Sequence, residues 1–181
     1  MFSAKLTFVL AAMAVALTAC GATSGEPAAT PSKSTNTSGP TATQAMVCGD
    51  EIKGDVKQIL RLPGEPKASS TYAGTLFTCD YALPVGRMRL SVRHSASDAA
   101  ALDYLTSRRA AVGANQVQYG LSDHAYGSGT GIVLVLEDNE TLEVDTTGLP
   151  TVFGDQQQKR VDLAYEVASD VLGCWTGHDG S

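Results

Sequence analysis

Residues 75–94 read TLFTCDYALPVGRMRLSVRH. Two alternating runs, 75–83 and 87–94, flank a break at Pro84-Val85. This is the pattern of an antiparallel hairpin. In the second run Met88, Leu90 and Val92 share one face, and Arg87, Arg89, Ser91 and Arg93 share the other. In the first run Phe77, Cys79 and Tyr81 fall together. A loop of even length sets Cys79 opposite Leu90 and Asp80 opposite Arg89, gathering the apolar side chains on one buried face. An odd loop sets Asp80 against Leu90, so it is rejected.

Working outward, Ile52, Val56, Ile59 and Leu60 recur at helical spacing over 50–61, and Pro63-Gly64 stops that helix. On the other side, 97–112 reads as a helix behind a capping-box-like Ser95-Ala96-Ser97-Asp98. Leu102, Leu105 and Val112 are its expected stripe, and Gly113 its stop. Val117-Gln118-Tyr119 is a short strand. Ile132–Leu136 is expected to be a central strand, turning at Asp138-Asn139 into Thr141–Asp145. That turn sets Val135 against Leu142 and Val133 against Val144. Asp155–Leu172 is the last predicted helix, with Gln158 completing a capping box and Gly173 marking its end. The order α-β-β-α-β-β-β-α predicts an α+β domain: an antiparallel sheet of about five strands with three helices packed against it.

The N-terminus is an address. Leu6–Ala19 is an apolar run too short to span a bilayer comfortably, and it ends in Leu17-Thr18-Ala19-Cys20-Gly21. This resembles the lipobox of bacterial lipoproteins. The resemblance implies cleavage of a signal peptide, residues 1–19, and a lipid-modified Cys20. Two acyl chains on that cysteine anchor stably where one would be marginal. Residues 21–45 contain no Val, Ile, Leu, Met or aromatic residue, so 20–46 is expected to be a lipidated disordered tether spanning ~28 Å. The folded domain is then 47–177, with 178–181 a tail.

Three cysteines remain for the domain: Cys48, Cys79 and Cys174. Only one internal disulfide can form among them. Cys48–Cys79, which would pin the first helix to the sheet, is the first choice, and Cys48–Cys174 the second. No Cys-x-x-Cys motif suggests redox exchange.

The 181-residue chain carries 13 Lys+Arg against 19 Asp+Glu, a net charge of −6, which argues against nucleic acid as a partner. Gly127-Ser128-Gly129-Thr130-Gly131 precedes a strand, not a helix, and so reads as a turn instead of a phosphate cradle. Glu137, Asp138, Glu140, Glu143 and Asp145 read as a solvated acidic hairpin. His94, His124 and His178 show no metal-ligand spacing, and Asp123-His124 lacks any recognisable catalytic pattern. No metal, cofactor or catalytic residue is therefore assigned. Arg87, Arg89 and Arg93 form a cationic stripe, a candidate site for an anion or an acidic partner. Trp175 is expected to pack the last helix onto the core.

Cys48, Thr78-Cys79-Asp80-Tyr81, Gly86, Leu90-Ser91-Val92, Gly120–Tyr126 and Leu172-Gly173-Cys174-Trp175 together resemble small actinobacterial lipoproteins of uncharacterised function. That resemblance carries no activity. The expectation is a non-enzymatic binding or accessory domain, lipid-anchored to the outer face of the cell membrane. Its partner would be an envelope protein or cell-wall component. A small envelope hydrolase, or a ligand sensor or carrier with an internal pocket, are the alternatives.

Overall fold

The hairpin adopts the even-loop register: Cys79 pairs with Leu90 and Asp80 with Arg89. The structure, a computed structural model, describes residues 39–154 and 156–177. The signal peptide, Cys20, the tether as far as residue 38, Asp155 and the tail lie outside the described residues.

The elements are α1 (Ala42–Met46), α2 (Asp50–Ile59), β1 (Lys67–Ala73), β2 (Leu76–Leu83), β3 (Gly86–His94) and α3 (Asp98–Val112). Then come β4 (Gln116–Val117), β5 (His124–Gly127), β6 (Ile132–Glu137), β7 (Glu140–Asp145), β8 (Val152–Phe153), β9 (Gln158–Lys159) and α4 (Arg160–Gly177). Seven strands make one antiparallel sheet in the order β1-β2-β3-β7-β6-β5-β4, and β8–β9 is a separate small hairpin. The α+β class holds, with more strands than expected. The β6–β7 turn also holds: Val135 faces Leu142 and Val133 faces Val144.

Side-chain alternation builds two layers on this sheet. The inner face sets Cys79, Tyr81, Leu90, Val92, Val135 and Leu142 against Ile52 and Val56 of α2 and Leu163, Val167 and Val171 of α4, in one buried cluster. The outer face of β6 sets Ile132, Leu134 and Leu136 against Ala101 and Leu105 of α3. β6 is thus covered on both sides, which explains its unbroken apolar run. Trp175 and Cys174 are buried at the end of α4, as expected of the tryptophan.

Five expectations change. First, the domain begins before residue 47. Thr41 and Gln44 form a reciprocal capping box at the start of α1, and the Gln44 side-chain amide donates to the carbonyls of Thr75 (2.7 Å) and Val92 (3.0 Å). A polar segment is ordered here because its buried amide finds two carbonyl acceptors at the sheet, so it is not left unpaired. Second, the stripe of α3 is Ala101 and Leu105, with Val112 half-buried against the same cluster as expected, while Leu102 is 43 % exposed. The small Ala101 lets the helix approach the sheet. Its cap is Ser97, whose hydroxyl accepts from the Ala100 N–H at 3.3 Å. Third, α4 starts at Arg160 instead of residue 155, because Gln158 pairs in β9, and it runs through the exposed Gly173 to Gly177. Fourth, the acidic hairpin is only partly solvated: Asp138 at its turn is exposed, but Glu140 and Glu143 are 8 % and 9 % exposed. They sit in β7, the middle strand of seven, where both faces are covered. Fifth, β1, β5 and the β8–β9 hairpin are additional strands.

The Cys48–Cys79 disulfide is present, with Cα atoms 5.5 Å apart. The Tyr81 hydroxyl donates to the Val47 carbonyl beside it at 2.6 Å, and burial pushes that phenol's pKa up.

Asp170 of α4 has its pKa raised by burial, then by Asp55 of α2 and by Glu166 one turn away. Asp55 is raised likewise by burial and by Glu51. A carboxyl with a folded-state pKa above its unfolded value favours the fold when protonated, and this contribution is lost as pH rises through the folded pKa. Asp170→Asn therefore stabilises the protein at neutral pH. The Glu166–Asp170 repulsion alone is worth ~0.2–0.5 kcal/mol. The gain disappears below about pH 4, the ordinary aspartate range, where Asp170 is itself protonated. Thermal melts of the variant at two pH values check this.

Candidate functional site

The helices cover the sheet unevenly. On the outer face α3 packs over β6 and β7, whose buried side chains it meets. The outer face of β1–β2–β3 carries polar side chains instead: Ser69 and Thr71 of β1, Thr78 and Asp80 of β2, Arg87, Arg89 and Ser91 of β3. Thr78 and Ser91 hydroxyls lie 3.3 Å apart across the pair. This half-open, hydrogen-bonding face is the candidate site.

Its basic end is built by two glycines. A Cβ on Gly148 would lie 2.5 Å from the Arg87 carbonyl oxygen, and one on Gly86 would lie 2.3 Å from the Gly148 carbonyl oxygen. Without side chains, the loop after β7 lies directly on the start of β3, and the Arg87 N–H donates to the Gly148 carbonyl at 3.2 Å. The Arg160 side chain holds the same loop through the carbonyls of Thr147 and Leu149. Asp145 accepts from the Thr147 N–H (2.8 Å) and hydroxyl (2.6 Å), closing a local turn. The result is a cleft of about 170 Å³ lined by Asp80, Arg87, Met88, Arg89, Asp145, Thr147 and Gly148.

The three arginines part company here. Arg89 forks onto Asp80 at 2.8 and 3.2 Å, and this hydrogen-bonded carboxylate is the main cause that raises the guanidinium's pKa. The pair is largely exposed, so it fixes geometry more than it adds stability. Arg87 is exposed and makes no ion pair among the described residues. Arg93 lies apart from both: its guanidinium stacks 4.4 Å from the Tyr104 ring of α3, and its Nε is buried. Beside it Arg108 forks onto Glu143 at 2.5 and 2.7 Å. Burial, then the Glu143 charge, raises the Tyr104 pKa. The stripe is thus two arginines at the open cleft and a third fastened under α3. Alternation correctly put all three on one face, but it could not show where a helix would cover that face. The contribution of Asp145, Thr147 and Gly148 was not read from the sequence; Gly148 just after a predicted strand was the available signal.

The other features fall elsewhere. Ser122, Asp123 and His124 line a surface cleft of about 410 Å³ together with Asp98, Leu102, Glu137 and Asp138. The Ser122 hydroxyl is engaged in the turn, donating to the Leu136 carbonyl at 2.9 Å and accepting from the His124 N–H at 3.0 Å. His94 meets Glu140 at 3.1 Å, and Thr41 donates to the same carboxylate oxygen. Among the described residues no three His, Cys, Asp or Glu side chains are placed to hold a metal ion. The 127–131 run closes as a turn: the Ile132 N–H donates to the Ser128 hydroxyl, and the Ser128 N–H to the Ile132 carbonyl. No helix among the described residues is long and apolar enough to cross a membrane.

The chain matches no protein-family model, no curated protein and no solved structure.

Proposed function

We propose that this chain is a binding module of the cell envelope, anchored through a lipid on Cys20, that engages an acidic partner through the open outer face of β1–β2–β3. The observation that carries this reading is the uneven covering of the sheet. Helices bury the inner face of β2, β3, β7 and β6, but on the outer face only the β6–β7 half is closed, leaving a polar platform with Arg87 and Arg89 at its end. The disulfide fits a compartment that permits oxidation, and the lipobox-like Leu17–Cys20 fits the address.

An envelope hydrolase is the second reading, favoured by the shared cleft of Ser122, Asp123 and His124. The engaged Ser122 hydroxyl weighs against it, since nucleophilic catalysis needs that oxygen within reach of the base. A carrier with an internal cavity is disfavoured by the layer between α4 and the sheet, filled by fully buried Leu90, Val144, Leu163 and Val171.

In-cell crosslinking followed by mass spectrometry tests the proposal. One envelope protein should co-purify with the parent chain and with Arg93→Ala, and be lost in Arg87→Ala/Arg89→Ala. Equal recovery with the double variant would sink the assignment of this face. Cys20→Ala should move the protein from the membrane to the soluble fraction; persistence in the membrane would sink the anchor.

A further inference from the structure

Among the described residues, strand β1 ends the sheet with no strand on its outer side. In β3 the Arg87 N–H bonds toward the loop after β7 and the His94 N–H toward Thr75, so odd-numbered residues face β7 and even-numbered ones face β2. Alternation carried through the two registers leaves Ala68, Ser70 and Tyr72 aiming N–H and C=O outward from β1. Natural sheets protect such edges with charge, proline, bulges or brevity. β1 is seven residues long, pairs with β2 without interruption, and holds one charge, Lys67, at its first position. The opposite edge, β4, is two residues.

We propose that β1 pairs antiparallel with β1 of a second copy of this chain, about a two-fold axis through Ser70. This continues the sheet across the two copies. Ser70 then faces the partner's Ser70, Ala68 the partner's Tyr72, Ser69 the partner's Thr71 and Lys67 the partner's Ala73. The strand is its own complement. All three outward residues bond mutually, no like charges oppose, and the 39 % exposed Tyr72 covers an alanine. An axis through Ser69 would instead set Tyr72 against Pro66, which has no N–H. The outward groups of the two strands make about six hydrogen bonds, which corresponds to an interface of roughly 600–1,200 Å². That is the low end for specific association, so the dimer forms where copies are concentrated. A second copy presents its strand already extended, whereas a foreign peptide must first be ordered. Pairing strengthens with salt, because each copy carries a net charge of −6.

The test uses the purified full chain in dilute detergent at millimolar concentration. Ser70→Cys treated with a short bismaleimide should yield a covalent dimer, and Gln116→Cys on the far edge should not. In sedimentation velocity the parent should show a concentration-dependent dimer that Ser70→Lys abolishes, because two ammonium groups then meet on the axis. Ser70→Pro should also abolish it while keeping the parent's circular dichroism, since the N–H removed is one that β2 does not use. Equal crosslinking of the Ser70→Cys and Gln116→Cys variants overturns the proposal. So does a Ser70→Lys variant that sediments like the parent.

Discussion

Replacing Cys48 and Cys79 together by Ala lowers the unfolding free energy by about 3–4 kcal/mol, the chain-entropy value for a loop of this length. The bridged residues are 31 apart in sequence, so the crosslink removes a substantial loop-closure freedom from the unfolded chain. The melting temperature falls by about 10 °C. Urea denaturation of the double variant, beside the parent in reductant, measures this. The reduced parent should behave like the variant. A loss below about 1 kcal/mol would show that burial of Ile52 and Val56 alone fastens α2 to the sheet. The packing gives the bridge its place: Cys79 is fully buried on the inner face, and the Tyr81–Val47 hydrogen bond holds the incoming chain beside it.

Gly86→Ala has an effect of similar size by another route. Gly86 has φ of +145°, a region adopted almost solely by glycine, and its missing side chain is where the Gly148 carbonyl lies. The backbone conformation costs an alanine ~1–3 kcal/mol, and relieving the clash adds more. The loop after β7 must then lift from β3, breaking the Arg87–Gly148 bond and separating Thr147 from the two arginines. Loss of about 2–4 kcal/mol in denaturant, with loss of partner capture equal to that of Arg87→Ala/Arg89→Ala, is the expected pair of results. A stable Gly86→Ala protein that still captures its partner would show that the cleft does not depend on this contact.

The sequence makes the covered parts of this fold plain and the uncovered parts faint. β2, β3, β6 and β7 each bury at least one face, so their alternation or apolar runs fix register to the residue. β1 does not: every residue but Ala68 is exposed, and KASSTYA offers no apolar alternation. The acidic residues of β7 misled for a related reason. Charge suggests solvent, and only the strand order brings Arg108 of α3 over Glu143 and Thr41, the cap of α1, to Glu140. The cationic site was half legible. Spacing placed Arg87, Arg89 and Arg93 on one face, but the fate of each depends on what crosses that face: open solvent for Arg87, Asp80 for Arg89, Tyr104 for Arg93.

The joint at the start of the domain also has a mechanical meaning. A pull on the chain from its N-terminal side reaches α1 first, where a handful of side-chain hydrogen bonds resist it. α1 is five residues long and can pay out from about 7.5 Å to about 17 Å when drawn straight. Beyond it the load meets Cys48, and the covalent bridge passes it into β2, an interior strand of the sheet. Tension is thus taken up by a short yielding segment and then stopped by a bond that ordinary forces do not break. The segment between the two cysteines, with α2 and β1, is bypassed by the load.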